Sequence, residues 1–538
     1  MWSKNKIKSA IRAIIALVAV AISAGITGCG SGSGAASTPT PTPTPAPTPA
    51  ITSISPSGAT VGGPAFTLTV NGSNFVPASQ VAWNGSTRTT TVVSSSHLQA
   101  HIQAADVAVA GKVAITVVNP TPGGGSSNSV NFTVPPATIT FQSTGALDGS
   151  DAANTNNAVN VWTVNPDGTG ATPLTKYTLA IASNPVWSPD GSKVAFSGNG
   201  ALDGSNAAGI GNNIWVVNAD GSGATPLTRI AHLNLFGQSN IAWSPDGTKI
   251  AFDSSRALDG RDASNTNNGL NIWVMNADGS GALPLTDITV TETISKPIWS
   301  PDGSKIAYLS DRALTGFNLE GPNSTLNIWV MNSDGSGGTG LQGSGSTPLT
   351  KLTALGAGVD PGSAVWSPDS SKIIFSSRRA LDGSDAKGPN GTDNIWVVNA
   401  DGSSDTPLIK LTAIGAGSSS PAWSPDGSKV AFVSVAALDG SDAQSINNSG
   451  NIWVMNADGS GRTPVTKLIA NFSSENVIWS PGGKKILFDS TRAVDGSDAA
   501  NSNATTLNIW VVNADGSGAT PLTKRTAAGA SSFSPKLP

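Results

Sequence analysis

The chain has 538 residues, of which 12 % are charged, and a formal net charge of −4. That length admits several domains, and a mildly acidic chain without basic runs excludes nucleic acid as a partner. Gly, Ser, Thr, Asn and Pro are abundant, while Glu occurs only at Glu292, Glu320 and Glu475. Many short strands joined by tight turns are expected, in a nearly all-β protein.

Residues 1–28 read as a signal segment. Lys4, Lys6, Lys8 and Arg12 precede an apolar run from Ala13 to Ile22, which is too short to span a bilayer comfortably. The stretch Ile26-Thr27-Gly28-Cys29 resembles a bacterial lipobox, and Cys29 is the only cysteine. A lone Cys excludes an intrachain disulfide framework and fits acylation. The resemblance implies a lipid anchor at Cys29, and Gly30 after it implies the outer membrane or cell surface. Removing residues 1–28 takes away four positive charges and leaves −8. Residues 29–50 then form a tether, Gly/Ser first and then "TPTPTPTPAPTP". Alternating proline stiffens such a segment toward polyproline II.

Residues 51–135 alternate apolar and polar positions between Gly, Pro and Asn turns, as a small β-sandwich does. Ile54-Ser55-Pro56, Gly62-Gly63 and Gly72-Ser73-Asn74-Phe75 resemble the IPT/TIG immunoglobulin-like domain, which serves as spacer and as binding module alike.

From residue 137 to 538 the sequence repeats. Trp-Ser-Pro occurs at Trp187, Trp243, Trp299, Trp366, Trp423 and Trp479, and Phe533-Ser534-Pro535 reads as a seventh copy. Each repeat continues through a strand such as Lys193 to Phe196, a strand such as Asn213 to Asn218, and a Thr-Pro segment such as Thr225-Pro226. Four strands per repeat of this length mark β-propeller blades. The third strand is apolar at consecutive positions, so both its faces must be buried. The fourth carries Pro in every copy and belongs on an edge. The first repeat, from Ile139, lacks its own Trp-Ser-Pro strand, and the chain's last residues supply one. The expected fold is therefore all-β: a seven-bladed β-propeller with C-terminal strand closure, preceded by an immunoglobulin-like β-sandwich. The run "WSPDGSKVAF…NIWVVNADGSG…TPLT" resembles the TolB-type (WD40-like) propeller repeat over about 400 residues. TolB itself has six blades and a preceding α/β domain, so its partners do not carry over.

Catalysis by acid–base or metal chemistry usually draws on His, Glu, Cys or clustered carboxylates. Of three histidines, His97 and His101 lie in the sandwich and His232 in a connection between repeats. No catalytic residue is assigned, and the chain is expected not to be an enzyme. "SPDG" and "NADGSG" are turn chemistry, and the repeated Trp residues are core.

The loops between second and third strands are longer than a hairpin needs. They carry Asp148 and Asp151, Asp203, Asp259 and Asp262, Asp382 and Asp385, Asp439 and Asp442, and Asp495 and Asp498. Three readings stand for them: a loop satisfied by its own backbone, a Ca²⁺ site built from hard oxygen ligands, or direct ligand contact. No cofactor is otherwise expected. The long Asp-rich loops and variable connections share one face and fixed turns the other, so binding is expected on the Asp-rich face. The functional expectation is a monomeric, non-enzymatic, lipid-anchored envelope protein that presents its propeller to a protein or glycan partner. The alternative is an extracytoplasmic hydrolase or lyase acting on polysaccharide or peptide.

Overall fold

The computed structural model describes residues 45–538 apart from 60, 64, 135–137, 203–207, 231–239, 259–268, 288–293, 315–323, 337–345, 389, 446–447, 470–473 and 498–504. Cys29 and His232 therefore lie outside the described residues. The helices described over their full length are two short 3₁₀ turns, Ala104–Val107 and Thr155–Asn157.

The N-terminal unit packs two antiparallel sheets. One orders its strands Ala50–Ser55, Phe66–Ser73, His97–Ile102 and Thr90–Ser94; the other is built on Gln80–Trp83, Gly111–Asn119 and Val130–Val134. Leu68, Val70 and Leu98 of the first meet Val81, Ile115, Val117 and Phe132 of the second in one buried core.

The remaining sheets all have four strands. In the sheet Ala182–Trp187, Lys193–Gly200, Ala208–Asn218 and Thr225–Pro226, neighbours in sequence are neighbours in the sheet. The turn after Trp187 is made locally. Gly191 adopts φ 63°, and Asp190 accepts hydrogen bonds from Ser188 Oγ at 2.6 Å and Ser192 N at 3.1 Å. The Asn218-Ala-Asp-Gly turn repeats the device, with Asp220 accepting from Ser222 N at 2.9 Å. These bonds put both motifs on the structural side of the ledger. Pro226 pairs with Trp215 on the outermost strand, where its missing N–H costs no ladder bond.

Core clusters form between consecutive sheets. Ile214 and Val216 pack with Ile250, Phe252 and Trp273 of the next sheet, and the pattern continues along the chain. Most of the Trp-Ser-Pro indoles, though not Trp187 or Trp423, add a polar tie: Trp243 Nε1 donates to Val186 O, Trp299 to Ala242 O and Trp366 to Ile298 O, each at 3.2 Å. A buried Asn in each third strand clamps the segment after the Pro-bearing edge. Asn451 Oδ1 accepts from Thr466 Oγ1 at 2.9 Å and Leu468 N at 2.8 Å, while its Nδ2 donates to Leu468 O at 3.0 Å. Asn160, Asn327 and Asn508 make the same set of bonds.

The first repeat pairs Ile139–Ser143 with Asn160–Val164 on one side and with Ser532–Lys536 on the other. The register corrects one expectation. Thr140, the residue before Phe141, faces Lys536, just as Ala195, the residue before Phe196, faces Val186. Leu537, not Phe533, therefore takes the place of Trp187, and Ser534-Pro535 matches Asn184-Pro185. Leu537 packs against the cluster of Ile139, Phe141, Leu487 and Val511. The Ser-Pro after Phe533 belongs to "SSSPAW" (Ser418 to Trp423), not to Trp-Ser-Pro.

The sandwich lies against the turns that follow Trp-Ser-Pro. Gly58 sits beside Asp190, where an added Cβ would come within 2.9 Å of its Cα, and Gly62 lies next to Gly482. A cavity of about 510 Å³ lies between Pro56, Phe66 and Thr67 of the sandwich and Asp246, Lys249 and Asp302 of the repeats.

The Asn clamp yields a prediction. Asn451→Ala removes three hydrogen bonds at a fully buried position and leaves Thr466 Oγ1 and the Leu468 amide short of partners. Denaturant unfolding should show a loss of about 2–4 kcal/mol. A loss below measurement error would show that the clamp contributes nothing.

Candidate functional site

The Asp-rich loops place their carboxylates on protein backbone. Asp148, Asp382, Asp439 and Asp495 each accept the N–H two residues on, at 2.8–2.9 Å. These serine-derived bonds hold all four below the usual carboxylate range. The second Asp reaches further. Asp385 accepts from Thr353 N at 2.7 Å and Ala354 N at 3.3 Å, as well as from Thr353 Oγ1. Asp442 grips Thr412-Ala413 in the same way, and Asp151 grips Thr526-Ala527. Each of these carboxylates thus pins the connection that leads into its own sheet. Asp203, Asp259, Asp262 and Asp498 lie outside the described residues. Among the described residues, no three His, Cys, Asp or Glu side chains gather as a metal cluster.

A second site, not anticipated from the sequence, lies where the first strands converge. They are irregular: the register slips between Ser183 and Val186, Ser295 and Ile298, Ser419 and Ala422, and Glu475 and Ile478. At the slip stands a residue with positive φ: Asn184 (51°), Lys296 (54°), Ser420 (52°), Asn476 (51°) and Ser534 (54°). A non-glycine residue in this region costs on the order of 1 kcal/mol, and such strain is often held at ligand sites. These five, with Asn240 and Ser363 at the matching positions, all line one cavity of about 710 Å³. A volume of that order suits a small-molecule site.

The charged lining is uneven. Arg378 Nε binds Asp393 Oδ1 at 2.8 Å. Beside this pair, burial pushes the Asp360 carboxyl up to about 7, and the neighbouring Asp393 carboxylate pushes the same way. Lys296 donates to the Gly362 carbonyl, and burial, with help from Lys536, lowers its ammonium to about 8. Burial also lowers Lys536, against the pull of Asp489. Asp489 is buried behind the lining and pushed up by that burial, although Ser534 N at 2.9 Å and Asn476 Nδ2 at 2.8 Å donate to it. Ionisable groups displaced in opposite directions within one cavity single it out as a candidate functional site. Arg378 follows a second strand and Asp393 precedes a third, so the cavity reaches the end of the sheet from which the Asp-rich loops spring.

The sequence held a signal for this site. Asn184, Lys296, Ser420 and Ser534 each precede a proline, three residues before the Trp or, for Ser534, before Leu537. Lysine stands among Asn and Ser at that position.

Residues 49–134 match the IPT/TIG domain family, and they form such a domain. A stretch of 128 residues, 24 % of this chain, is 29 % identical to the uncharacterized peptidase YuxL of Bacillus subtilis strain 168. That stretch covers 17 % of the relative. Among solved structures, a protein described as TolB from Agrobacterium tumefaciens is similar at 19 % identity and TM-score 0.36, covering 64 % of this chain and 95 % of that one. An oligogalacturonate lyase from Vibrio parahaemolyticus is similar at 18 % identity and TM-score 0.43, covering 68 % and 82 %.

The peptidase match overturns the expectation that this chain is not an enzyme. That expectation counted histidines and glutamates. A carboxyl near 7 and an amine near 8 can exchange protons at neutral pH without either residue type.

The Asp360 shift sets a pH prediction. Its folded value lies above the ordinary 3.8, so the folded state holds a proton that the unfolded chain releases between about 4 and 7. Its contribution to stability therefore falls as pH rises through that window and is level above it. Asp360→Asn should remove this slope, so the variant gains in melting temperature over wild type from pH 4 to 7 and holds the gain above. Parallel pH profiles for the two proteins would contradict the assignment.

Proposed function

We propose that the chain is a lipid-anchored cell-envelope protein whose repeats form a seven-bladed propeller that takes a protein or glycan partner at its central cavity. The observation that carries this reading is the cavity of about 710 Å³ lined from every sheet of the repeats, with its displaced Asp360 and Lys296. The IPT/TIG domain lies against the opposite turns and favours entry from the Asp-rich face. The accompanying organisation is a signal segment over 1–28, a tether over 29–50, the sandwich over 51–135 and the propeller over 137–538, acting as a monomer.

Crosslinking capture from intact cells tests the binding site. Ser419 lines the cavity, and Ser419→Trp should cut capture at least tenfold with an unchanged melting temperature. Undiminished capture would place the binding site elsewhere.

Closure is supported by the pairing of Ser532–Lys536 with Ile139–Ser143 and by the core shared between first and last sheets. Deleting residues 531–538 strips the first sheet of a strand and opens a seam. The truncated chain should melt lower and less cooperatively; an unchanged melting curve would refute closure.

Anchoring rests on the Ile26-Thr27-Gly28-Cys29 stretch. Cys29→Ser should move the protein from the membrane fraction to the soluble one, and unchanged partitioning would refute the anchor.

A second reading is that the cavity turns over a polysaccharide or peptide as a lyase or hydrolase. It is favoured by Asp360 and Lys296 poised near neutral pH in one cavity, and by the relative named as a peptidase. Turnover in a substrate screen that disappears in Asp360→Asn would support it, and turnover kept in that variant would exclude this site.

A further inference from the structure

We infer that the cavity binds a small oxyanion, carboxylate or phosphate, between the ammonium groups of Lys296 and Lys536. This deepens the proposed ligand cavity and rests on it. The repeats themselves isolate the two lysines. At the position of Lys296 the other copies carry Asn184, Asn240, Ser363, Ser420, Asn476 and Ser534. At the position of Lys536 they carry Val186, Ala242, Ile298, Val365, Ala422 and Ile478, each paired with the residue before the aromatic of its second strand. One scaffold position thus gains a charge once, its neighbour two residues on gains a charge once, and both charges enter the same cavity. Neither is needed for the fold, since every other copy does without it.

The two ammonium groups are poorly neutralised. Lys296 bonds the carbonyl of Gly362, which carries no charge, and Lys536 has no hydrogen-bond partner among the described residues. They come from strands of different sheets, yet lie near enough for the charge on Lys536 to disfavour that on Lys296. The other charged groups nearby are engaged in part by their own partners, and of them Asp489 pulls on Lys536. Asp393 is engaged by Arg378 at the mouth, with Asp360 beside it. Asp489 directs an oxygen to Asn476 Nδ2 and Ser534 N, and Asp253 accepts from Asn240 N at 3.0 Å. Two like charges brought together in a half-buried cavity repel each other, and an anion between them relieves both the repulsion and the desolvation. The hydroxyl of Ser420 lines the same cavity and can donate to a remaining oxygen.

The test is calorimetric titration of the full chain at pH 7 and fixed ionic strength with inorganic phosphate and, separately, acetate. At least one should bind saturably at one equivalent. Lys296→Asn and Lys536→Val, each restoring a residue that the repeat uses at that position, should raise Kd at least tenfold without lowering the melting temperature. Binding of phosphate alone assigns a phosphate-bearing ligand, and binding of acetate assigns a carboxylate-bearing one. No saturable binding of either anion, or affinities within twofold of wild type in both variants, overturns the inference. If one variant fails to fold, the other is read alone. Capture that survives both lysine substitutions but is lost in Ser419→Trp would overturn the anion inference while leaving the cavity reading in place.

Discussion

Ile214, Trp215, Val216 and Val217 are consecutive in one strand and all buried, which means that both faces of their sheet must be covered. Burying one such side chain stabilises by about 1.5–3 kcal/mol. A sheet left open on one face would therefore forfeit a large part of the 5–15 kcal/mol that holds a domain folded. Each sheet meets the demand by packing on the next, and the indole-to-carbonyl bonds such as Trp243 to Val186 hold the stack in register. The first and last sheets face the same demand, and Ile139, Phe141 and Trp162 meet it with Leu487, Ile509 and Val511.

Stacking of this kind brings the first strands together, and their bulges decide what they present. The register slip turns Asn184, Lys296, Ser420, Asn476 and Ser534 into left-handed backbone and toward one cavity. A repeated scaffold makes the departures easy to interpret. Where the copies agree, as at the Asn clamp of Asn160, Asn327, Asn451 and Asn508, the residue answers to packing and hydrogen bonding common to every sheet. Where a single copy differs, as at Lys296, the fold does not ask for the change, and the cavity acquires a chemical property that the repeat lacks.

The acidic residues divide along the same line. Asp190, Asp220 and Asp382 each bond an N–H two residues on, and Asp385 bonds the backbone of Thr353 and Ala354. These carboxylates have spent much of their acceptor capacity on their own turns and connections. Asp360 is different in kind: burial and a neighbouring carboxylate disfavour its charge, and the resulting value near 7 keeps it responsive where most carboxylates are fully ionised.

The amino-acid sequence alone determined the all-β class, the IPT/TIG sandwich, the four-strand repeat and the turn role of "SPDG" and "NADGSG". All of these follow from local alternation, proline placement and residues that bond within a few positions of themselves. The pinning of Thr353 by Asp385 joins groups 32 residues apart in the chain, and no local pattern announces it. The match of Leu537, not Phe533, to Trp187 depends on which residue faces Thr140, and a bulge hidden in the first strand shifts that register by one position. The meeting of Lys296, Asp360 and Lys536 depends on strands from different sheets converging on one cavity. Sequence carries the chemistry of each of these side chains, but only tertiary packing sets their burial and mutual distance, and it is burial and distance that displace their charges.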